Sequence, residues 1–296
     1  MEKLVIFCKS YLKDLYRAKR MAESVNRFNS DNILLYLSVP STDLKAFKQN
    51  FEDIPCIFLT DEDVLTRCYE AYGPPPKLFP KYLIQQLIKM EFWRLGVCEH
   101  YLWIDSDSYF LNPFSFNTFF NDDGKPFLVM HKATELRAFG KKHDTQIIHN
   151  LDSLIKSIQQ LFGRQGEGYY FGEPPLLWSC TVLESMHKDY LSKNEMSIFE
   201  LLYKYPCEMQ LYGEYCLASK AHPVFPVEPY FKVFHYLEQF CEAQRNGESD
   251  YRLSKNYLGV VMQSNWTNAK EKKKNDMARF KKFLREQQRK LGLIRW

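Results

Sequence analysis

The sequence lacks the features that mark membrane-spanning and secreted proteins. It contains no stretch of 18 uncharged apolar residues, the length that a helix needs to cross a bilayer. Its first ten residues have neither the long apolar segment nor the cleavage site of a signal peptide. The eight cysteines form no Cys-x-x-Cys pair, which argues against a zinc site and a secreted disulfide framework. These absences predict a cytoplasmic protein with reduced thiols.

Internal repeats and low-complexity linkers are also missing, and the charge is unevenly distributed. Residues 267–296 contain eleven basic and three acidic residues, a net charge of +8, which leaves −4 for the rest of a chain whose total is +4. Apolar residues recur in this tail at helical spacing, so it is predicted to form a basic amphipathic helix. The helix either packs on the body or docks on an anionic membrane, which would place the protein on the inner membrane face. The acidic body argues against a nucleic-acid partner.

Short apolar runs alternate with amphipathic segments along the first part of the chain. Strands and helices in this order are typical of βαβ units. They predict an α/β fold with a mostly parallel mixed sheet, in which Ser41-Thr42-Asp43 caps the second helix. The predicted strands of this part are Leu4–Cys8, Ile33–Val39, Cys56–Leu59 and Tyr101–Ile104, and the predicted helices are 12–28, 41–51 and 81–95.

Two carboxylates separated by one serine follow the fourth of these strands. They belong to the motif Asp105-Ser106-Asp107. Ligands of open α/β sheets bind at the carboxyl ends of the strands, and carboxylate oxygens suit a hard divalent cation. The motif therefore predicts a metal site at that edge.

An Asp-x-Asp motif after a strand also opens the phosphatases of the haloacid dehalogenase type, in which the first Asp is the nucleophile. Those enzymes carry the motif near the N-terminus, with Thr or Val two residues after the second Asp. Here that position is Tyr109, and about a hundred residues precede the motif. A phosphatase and a non-catalytic sugar-binding module stay open as alternatives.

The motif in its context resembles nucleotide-sugar glycosyltransferases of the GT-A type. Apolar residues and a proline follow it, in Tyr109–Pro113. Lys81–Lys89 resembles the preceding helix of a largely uncharacterised bacterial and viral glycosyltransferase-like family, and Glu208–Tyr215 resembles the acidic acceptor segment of that family. Lys232–Tyr236 is similar to the segment of glycogenin-like enzymes that supplies a histidine to the metal. The resemblance covers about residues 3–266 and implies a Rossmann-like GT-A domain.

The resemblance implies a division into a catalytic domain, 1–266, and the helix 267–296. Within the domain, residues 1–132 would bind the nucleotide sugar and residues 133–266 the acceptor. Mn²⁺ or Mg²⁺ would be held by Asp105, Asp107 and His235. The donor would contact a larger set of side chains, namely Lys9, Ser10, Tyr11, Asp61, Gln85, Gln86, Lys89, Asp105, Ser106 and Asp107.

On the acceptor side, an inverting enzyme needs a carboxylate base, for which Glu208 is the first candidate and Glu214 the second. A retaining enzyme needs no such base, and the stereochemistry stays open. Trp178 and Tyr212 are candidates for stacking on a sugar. The expected activity is sugar transfer from a nucleotide-sugar donor to a glycan or lipid-linked glycan, in surface polysaccharide or lipopolysaccharide synthesis. Each residue also has a plain structural interpretation, such as a core histidine or a polar helix face.

Overall fold

The computed structural model of the protein describes residues 1–221 and 223–263. The strands in this part of the chain are β1 (Glu2–Lys9), β2 (Leu35–Val39), β3 (Ile57–Thr60), β4 (Cys98–Asp105), β5 (Ser108–Phe110), β6 (Phe127–Val129), β7 (Leu176–Ser179), β8 (Phe225–Val227), β9 (Phe231–Phe234) and β10 (Gly259–Met262). The α-helices are α1 (Leu15–Phe28), α2 (Leu44–Asn50), α3 (Asp61–Tyr72), α4 (Lys81–Glu91), α5 (Thr134–His143), α6 (Gln146–Leu161), α7 (Cys180–Ser185), α8 (Ile198–Lys204), α9 (Glu208–Ser219), α10 (Leu237–Arg245) and α11 (Asp250–Leu253).

The central sheet has the strand order β3-β2-β1-β4-β7. β1, β2, β3 and β4 run parallel, and β7 pairs antiparallel with β4. The predicted mixed, mostly parallel sheet with flanking helices is confirmed. Lys9, the last residue of β1, is in register with Ser38 on one side and Asp105 on the other. The carboxyl ends of β1, β2 and β4 therefore meet at one edge.

Helices cover both faces of the central sheet. Successive side chains of a strand point to opposite faces. Phe7 and Trp103 accordingly join a core that includes residues of α3, α4, α7, α8 and α9. Ile6 and Ile104 join the opposite core, which includes residues of α1 and α2. Burial on both faces explains why the predicted first strand is an unbroken apolar run.

One local prediction is wrong, and a helix was missed. Asp43 does not cap α2, because its Oδ2 accepts a hydrogen bond from the backbone N–H of Leu12 at 2.8 Å and no side-chain cap is present. The helix α3 was not predicted, although Thr60 and Asp63 begin it with a reciprocal capping box. The acidic residues of its first turn make the apolar residues that pack on the core hard to recognise in the sequence.

Two smaller sheets complete the described fold. β5, β10 and β9 form one, and β6 pairs with β8 in the other. None of the described helices has both the length and the apolar character needed to cross a membrane. The tail predicted as a helix, 267–296, lies outside the described residues, and the proposed domain division stays a prediction.

Candidate functional site

The end of β1 carries a buried ion pair. Lys9 Nζ lies 2.9 Å from Asp61 Oδ2, at the start of α3, and Ser38 Oγ donates to Asp61 Oδ1 at 2.7 Å. Burial raises the pKa of Asp61, although the bonds from Lys9 and Ser38 oppose this effect. The structure thus brings together two of the predicted donor-binding residues. Ser38 was missed, and its only signal is that it is a polar residue in an apolar strand.

The next two predicted residues follow directly along the chain. Ser10 is buried and donates its backbone N–H to the carbonyl of Ser38 at 2.9 Å. Its Oγ is buried and has no hydrogen-bond partner among the described residues. Tyr11 is half-buried and precedes a 3₁₀ turn, Leu12–Asp14. The polar side chains of Ser10 and Tyr11 therefore directly follow the end of β1, where the Lys9–Asp61 pair lies.

A second charged group lies at the end of β4. Lys89 Nζ is 2.8 Å from Asp105 Oδ1 and 3.2 Å from Glu208 Oε1, and it sits 3.9 Å from the centre of the Trp103 ring. Lys89 is only 8% exposed. Its burial lowers the pKa, but the attraction of Asp105 and Glu208 is stronger and raises the pKa above its ordinary value. The ammonium is held as a cation between two carboxylates.

The local structure explains this meeting. Asp105 points to the same face of β4 as Trp103, because the two residues are two apart. α4 covers that face and places Lys89 in its last turn, where Tyr101 Oη donates to the Lys89 carbonyl at 2.7 Å. Glu208 is the first residue of α9. The sequence indicated all three residues as site candidates, but not that they form one group.

Asp107 lies in the turn between β4 and β5 and is 6% exposed. Ser106 beside it is 7% exposed. The backbone carbonyl of Asp107 accepts a hydrogen bond from Met262 at 3.0 Å, which ties the turn to β10. Both carboxylates of the Asp105-Ser106-Asp107 motif affect the pKa of the Cys8 thiol, near the end of β1. Burial, then Asp105, and more weakly Asp107 raise its pKa, while Lys89 and Lys9 lower it.

His235 follows β9 and contacts a residue that the sequence did not indicate. Its Nε2 lies 3.6 Å from Glu173 Oε1, and the same oxygen accepts a hydrogen bond from Tyr170 Oη at 2.8 Å. Glu173 immediately precedes Pro174-Pro175 and β7. A carboxylate next to a buried strand is the signal that could have found it. Metal binding by His235 stays a prediction.

The remaining candidates occupy different environments. Gln85 is exposed, and Gln86 donates from Nε2 to the carbonyl of Pro206 at 3.2 Å. Glu214 is fully buried, and Arg164 Nη2 donates to its Oε1 at 2.9 Å. Trp178 and Tyr212 are buried and stack on each other in the core with ring centroids 4.9 Å apart. The role of Glu214 as a catalytic base and the roles of Trp178 and Tyr212 in stacking on a sugar stay predictions.

Asp105 and Asp107 supply the oxygen ligands that suit Mn²⁺ or Mg²⁺. Within residues 1–221 and 223–263, no three His, Cys, Asp or Glu residues are grouped so as to hold a metal on their own. Mg²⁺ is commonly held by one or two carboxylates together with phosphate oxygens of a substrate. Asp105 and Asp107 are two carboxylates of the kind that such an ion would take, and metal binding by them stays a prediction.

The chain is similar to a solved structure and matches a family profile. The apo crystal structure of mouse xyloside xylosyltransferase 1 is similar to it with a TM-score of 0.48 and 11% sequence identity, over 89% of this chain and 98% of that chain. No curated protein is significantly similar in sequence. A profile described as a family of unknown function (DUF6492) matches residues 4–269. Because the match spans most of the sequence, the chain belongs to this family.

Proposed function

We propose that the protein is a metal-dependent glycosyltransferase that moves a sugar from a nucleotide-sugar donor to a glycan acceptor. The observation that carries the proposal is the contact of Lys89 with Asp105 and Glu208 at the end of β4. The Lys9–Asp61 pair lies at the same edge of the parallel sheet. In open α/β sheets this edge is where nucleotides bind.

The two charged groups have complementary tasks in the proposed reaction. Asp61, held in place by Lys9 and Ser38, offers a carboxylate oxygen to the ribose or the base of the donor. Asp105 and Asp107 would hold the divalent cation, which neutralises the charge that builds up on the departing nucleoside diphosphate. Lys89 adds a fixed positive charge next to the same diphosphate. Its position between carboxylates and over Trp103 limits its motion, so little reorganisation is needed during transfer.

The proposed acceptor is a glycan carried on a membrane lipid, as in surface polysaccharide or lipopolysaccharide synthesis. The net charge of +8 in residues 267–296 motivates this choice, because basic segments are attracted to anionic lipid surfaces. Binding of the chain to anionic vesicles is the observation that would support it.

Calorimetry with nucleoside diphosphates tests the donor site. UDP, GDP, ADP, CDP and dTDP are titrated into the protein with Mn²⁺, and at least one is expected to bind. Chelation of the metal with EDTA should abolish that binding. Asp107→Asn should weaken it about tenfold or more, a loss of about 1.4 kcal/mol, because a neutral amide is a poorer ligand for a hard cation.

Glu184→Gln is the matched control, since Glu184 on α7 forms an exposed ion pair with Lys188, which follows that helix. This variant should bind the nucleotide like the wild type. Failure of all five nucleotides to bind with Mn²⁺ would overturn the proposed function. Release of phosphate from p-nitrophenyl phosphate that disappears in Asp105→Asn would instead identify a phosphatase.

A further inference from the structure

A cavity of about 310 Å³ lies next to His235 at the end of β9. The loops before α5 and β7, the strand β9 and the segment before β10 enclose it. Aromatic, apolar and acidic side chains line it, and Glu135, Glu173 and Glu228 are its carboxylates. Its lining includes His235, a predicted metal ligand, but neither the Lys9–Asp61 pair nor the group of Lys89, Asp105 and Glu208.

Glu173 is the buried carboxylate among these three, whereas Glu135 and Glu228 are exposed. It is 6% exposed, and Tyr170 Oη donates to its Oε1 at 2.8 Å. Tyr170 is itself fixed, because its backbone N–H and carbonyl exchange hydrogen bonds with His131 at 2.9 and 3.0 Å. Glu173 thus lines the cavity from a segment that hydrogen bonds hold in place.

The side chain of His131 also holds this segment in place. Its Nε2 lies 2.5 Å from the carbonyl of Gly172, and its Nδ1 accepts from the backbone N–H of Ala133 at 3.3 Å. These partners assign the proton to Nε2 and leave the ring neutral. Burial lowers the pKa of His131, in agreement with a neutral ring. Both ring nitrogens are occupied, so His131 positions the peptide before Glu173.

The charges of the cavity select against a phosphate and for a neutral ligand rich in hydroxyl groups. Lys232 Nζ contacts Glu135 Oε2 at 2.7 Å, and Tyr257 Oη donates to Glu135 Oε1 at 2.8 Å. Glu173 and Glu228 add further negative charge around the neutral His131. Carboxylate oxygens repel a diphosphate but accept hydrogen bonds from sugar hydroxyls.

The strands β9 and β10 connect the cavity to the turn that carries Asp107. Met262 of β10 donates its backbone N–H to the carbonyl of Asp107 at 3.0 Å, and it is in register with Phe234 of β9. His235, the next residue after Phe234, lines the cavity. A ligand in the cavity would therefore contact the end of β9 that β10 joins to the Asp107 turn.

We propose that this cavity binds the acceptor sugar and that Glu173 accepts a hydrogen bond from the hydroxyl that is to be glycosylated. This inference rests on the proposed glycosyltransferase function. Tyr170 and His131 act as positioning residues, because they hold the segment that carries Glu173. The volume fits one or two sugar rings at the end of a glycan, with the rest of the chain outside.

Saturation-transfer NMR with simple glycosides tests the cavity. The probes are the methyl α- and β-pyranosides of glucose, galactose, mannose and xylose, added to the full chain. At least one is expected to give saturation signals. Glu173→Gln should weaken its binding about fivefold or more, because a neutral amide replaces the charged acceptor while keeping the bond to Tyr170. Thr134→Trp, at the exposed rim, should block entry to a similar extent.

Glu99→Gln is the matched control, because Glu99 is exposed and lies at the opposite edge of the sheet, near the start of β4. This control should bind the glycosides like the wild type, and all three variants should unfold at the wild-type temperature. Nucleoside diphosphate binding with Mn²⁺ is measured in parallel on Glu173→Gln and Thr134→Trp, and it should stay within about twofold of the wild type.

The two readouts separate the inference from the function on which it rests. Nucleotide binding without glycoside binding would overturn the acceptor cavity alone. Glycoside binding that neither Glu173→Gln nor Thr134→Trp weakens would also overturn it. Glycoside binding that depends on Glu173, in a protein that binds no nucleotide, would support a sugar site and overturn the glycosyltransferase.

Discussion

Lys89 is the residue through which α4, β4 and α9 meet at the candidate site. Its ammonium is buried, and that burial is tolerable only because Asp105 and Glu208 balance the charge. In the same arrangement, the Lys89 ammonium balances the negative charges of the two carboxylates. A single side chain therefore supports both the local structure and the charge that faces the proposed donor.

Lys89→Met is expected to lower the free energy of unfolding by about 3 kcal/mol, because it leaves two carboxylates close together without their cation. Urea denaturation at pH 7 measures the change. Adding Glu208→Gln should recover part of the loss, since one of the unpaired charges is then removed. Lys193→Met is the control, because Lys193 forms an exposed ion pair with Asp189. A loss below about 1 kcal/mol would show that Lys89 does not have this supporting role.

A buried ionic group at the end of α4 joins this helix to α3 and to a π-helical turn. Glu91 is fully buried, and its Oε1 lies 2.9 Å from Nε2 of His187 in the π-helical turn Met186–Leu191. Arg94 donates to the other oxygen of Glu91. Tyr72 at the end of α3 lies 2.6 Å from Nδ1 of His187. Burial raises the pKa of Glu91, but His187 and Arg94 outweigh that effect and keep it below its ordinary value.

The depressed pKa of Glu91 predicts a loss of stability in acid. The unfolded chain binds the proton more readily than the folded one, so the contribution is complete above the ordinary value of 4.5 and is lost as the pH falls below it. Glu91→Gln should cost about 3 kcal/mol at pH 7 and less at pH 3.5. Urea denaturation at both pH values checks this, with the exposed Glu52→Gln as control. An equal cost at both values would contradict the assignment.

Some elements were predictable because their signals are local. β1, β2 and β4 follow from apolar runs, and α4 follows from its helical spacing. The helices α3 and α5 were missed, because polar residues dominate the segments that form them. The direction of β7 was also not predictable, since pairing with β4 depends on the path of the preceding loop.

At the scale of the whole molecule, charge is divided between an acidic body and a basic tail. The body carries −4 and residues 267–296 carry +8. A segment of this charge is attracted to an anionic membrane, with about 1 kcal/mol for each basic residue near the surface. The acidic body would be repelled by the same surface. This division predicts that membrane binding, if it supplies the acceptor, depends on the tail alone.

Vesicle flotation tests this prediction. The full chain is expected to float with vesicles of 30% phosphatidylglycerol at low salt and to dissociate at about 0.5 M salt, because salt screens the attraction. A chain that ends at residue 266 should stay at the bottom of the gradient, and neither form should float with vesicles of phosphatidylcholine alone. Equal flotation of the full and shortened chains would contradict a role for the tail.

The sequence by itself determined the local features of this protein. The apolar runs and their spacing indicated an α/β fold, and the position of Asp105-Ser106-Asp107 after a strand indicated a site at the end of that strand. The fold class was predictable because strand burial and helix periodicity depend on neighbouring residues, whereas the site at the strand end stays a prediction. The same reasoning picked out Lys89 and Glu208, but as separate candidates.

Only the tertiary structure decided which of these residues meet. Lys89 and Glu208 are 119 positions apart, and the packing of α4 and α9 on one face of β4 joins them. The contact of Glu173 with His235 likewise depends on the loop before β7 and on the end of β9. Such contacts follow from strand order and loop path, which hydrophobic periodicity does not encode. The charged group around Lys89, and the cavity lined by Glu173, are therefore properties of the fold.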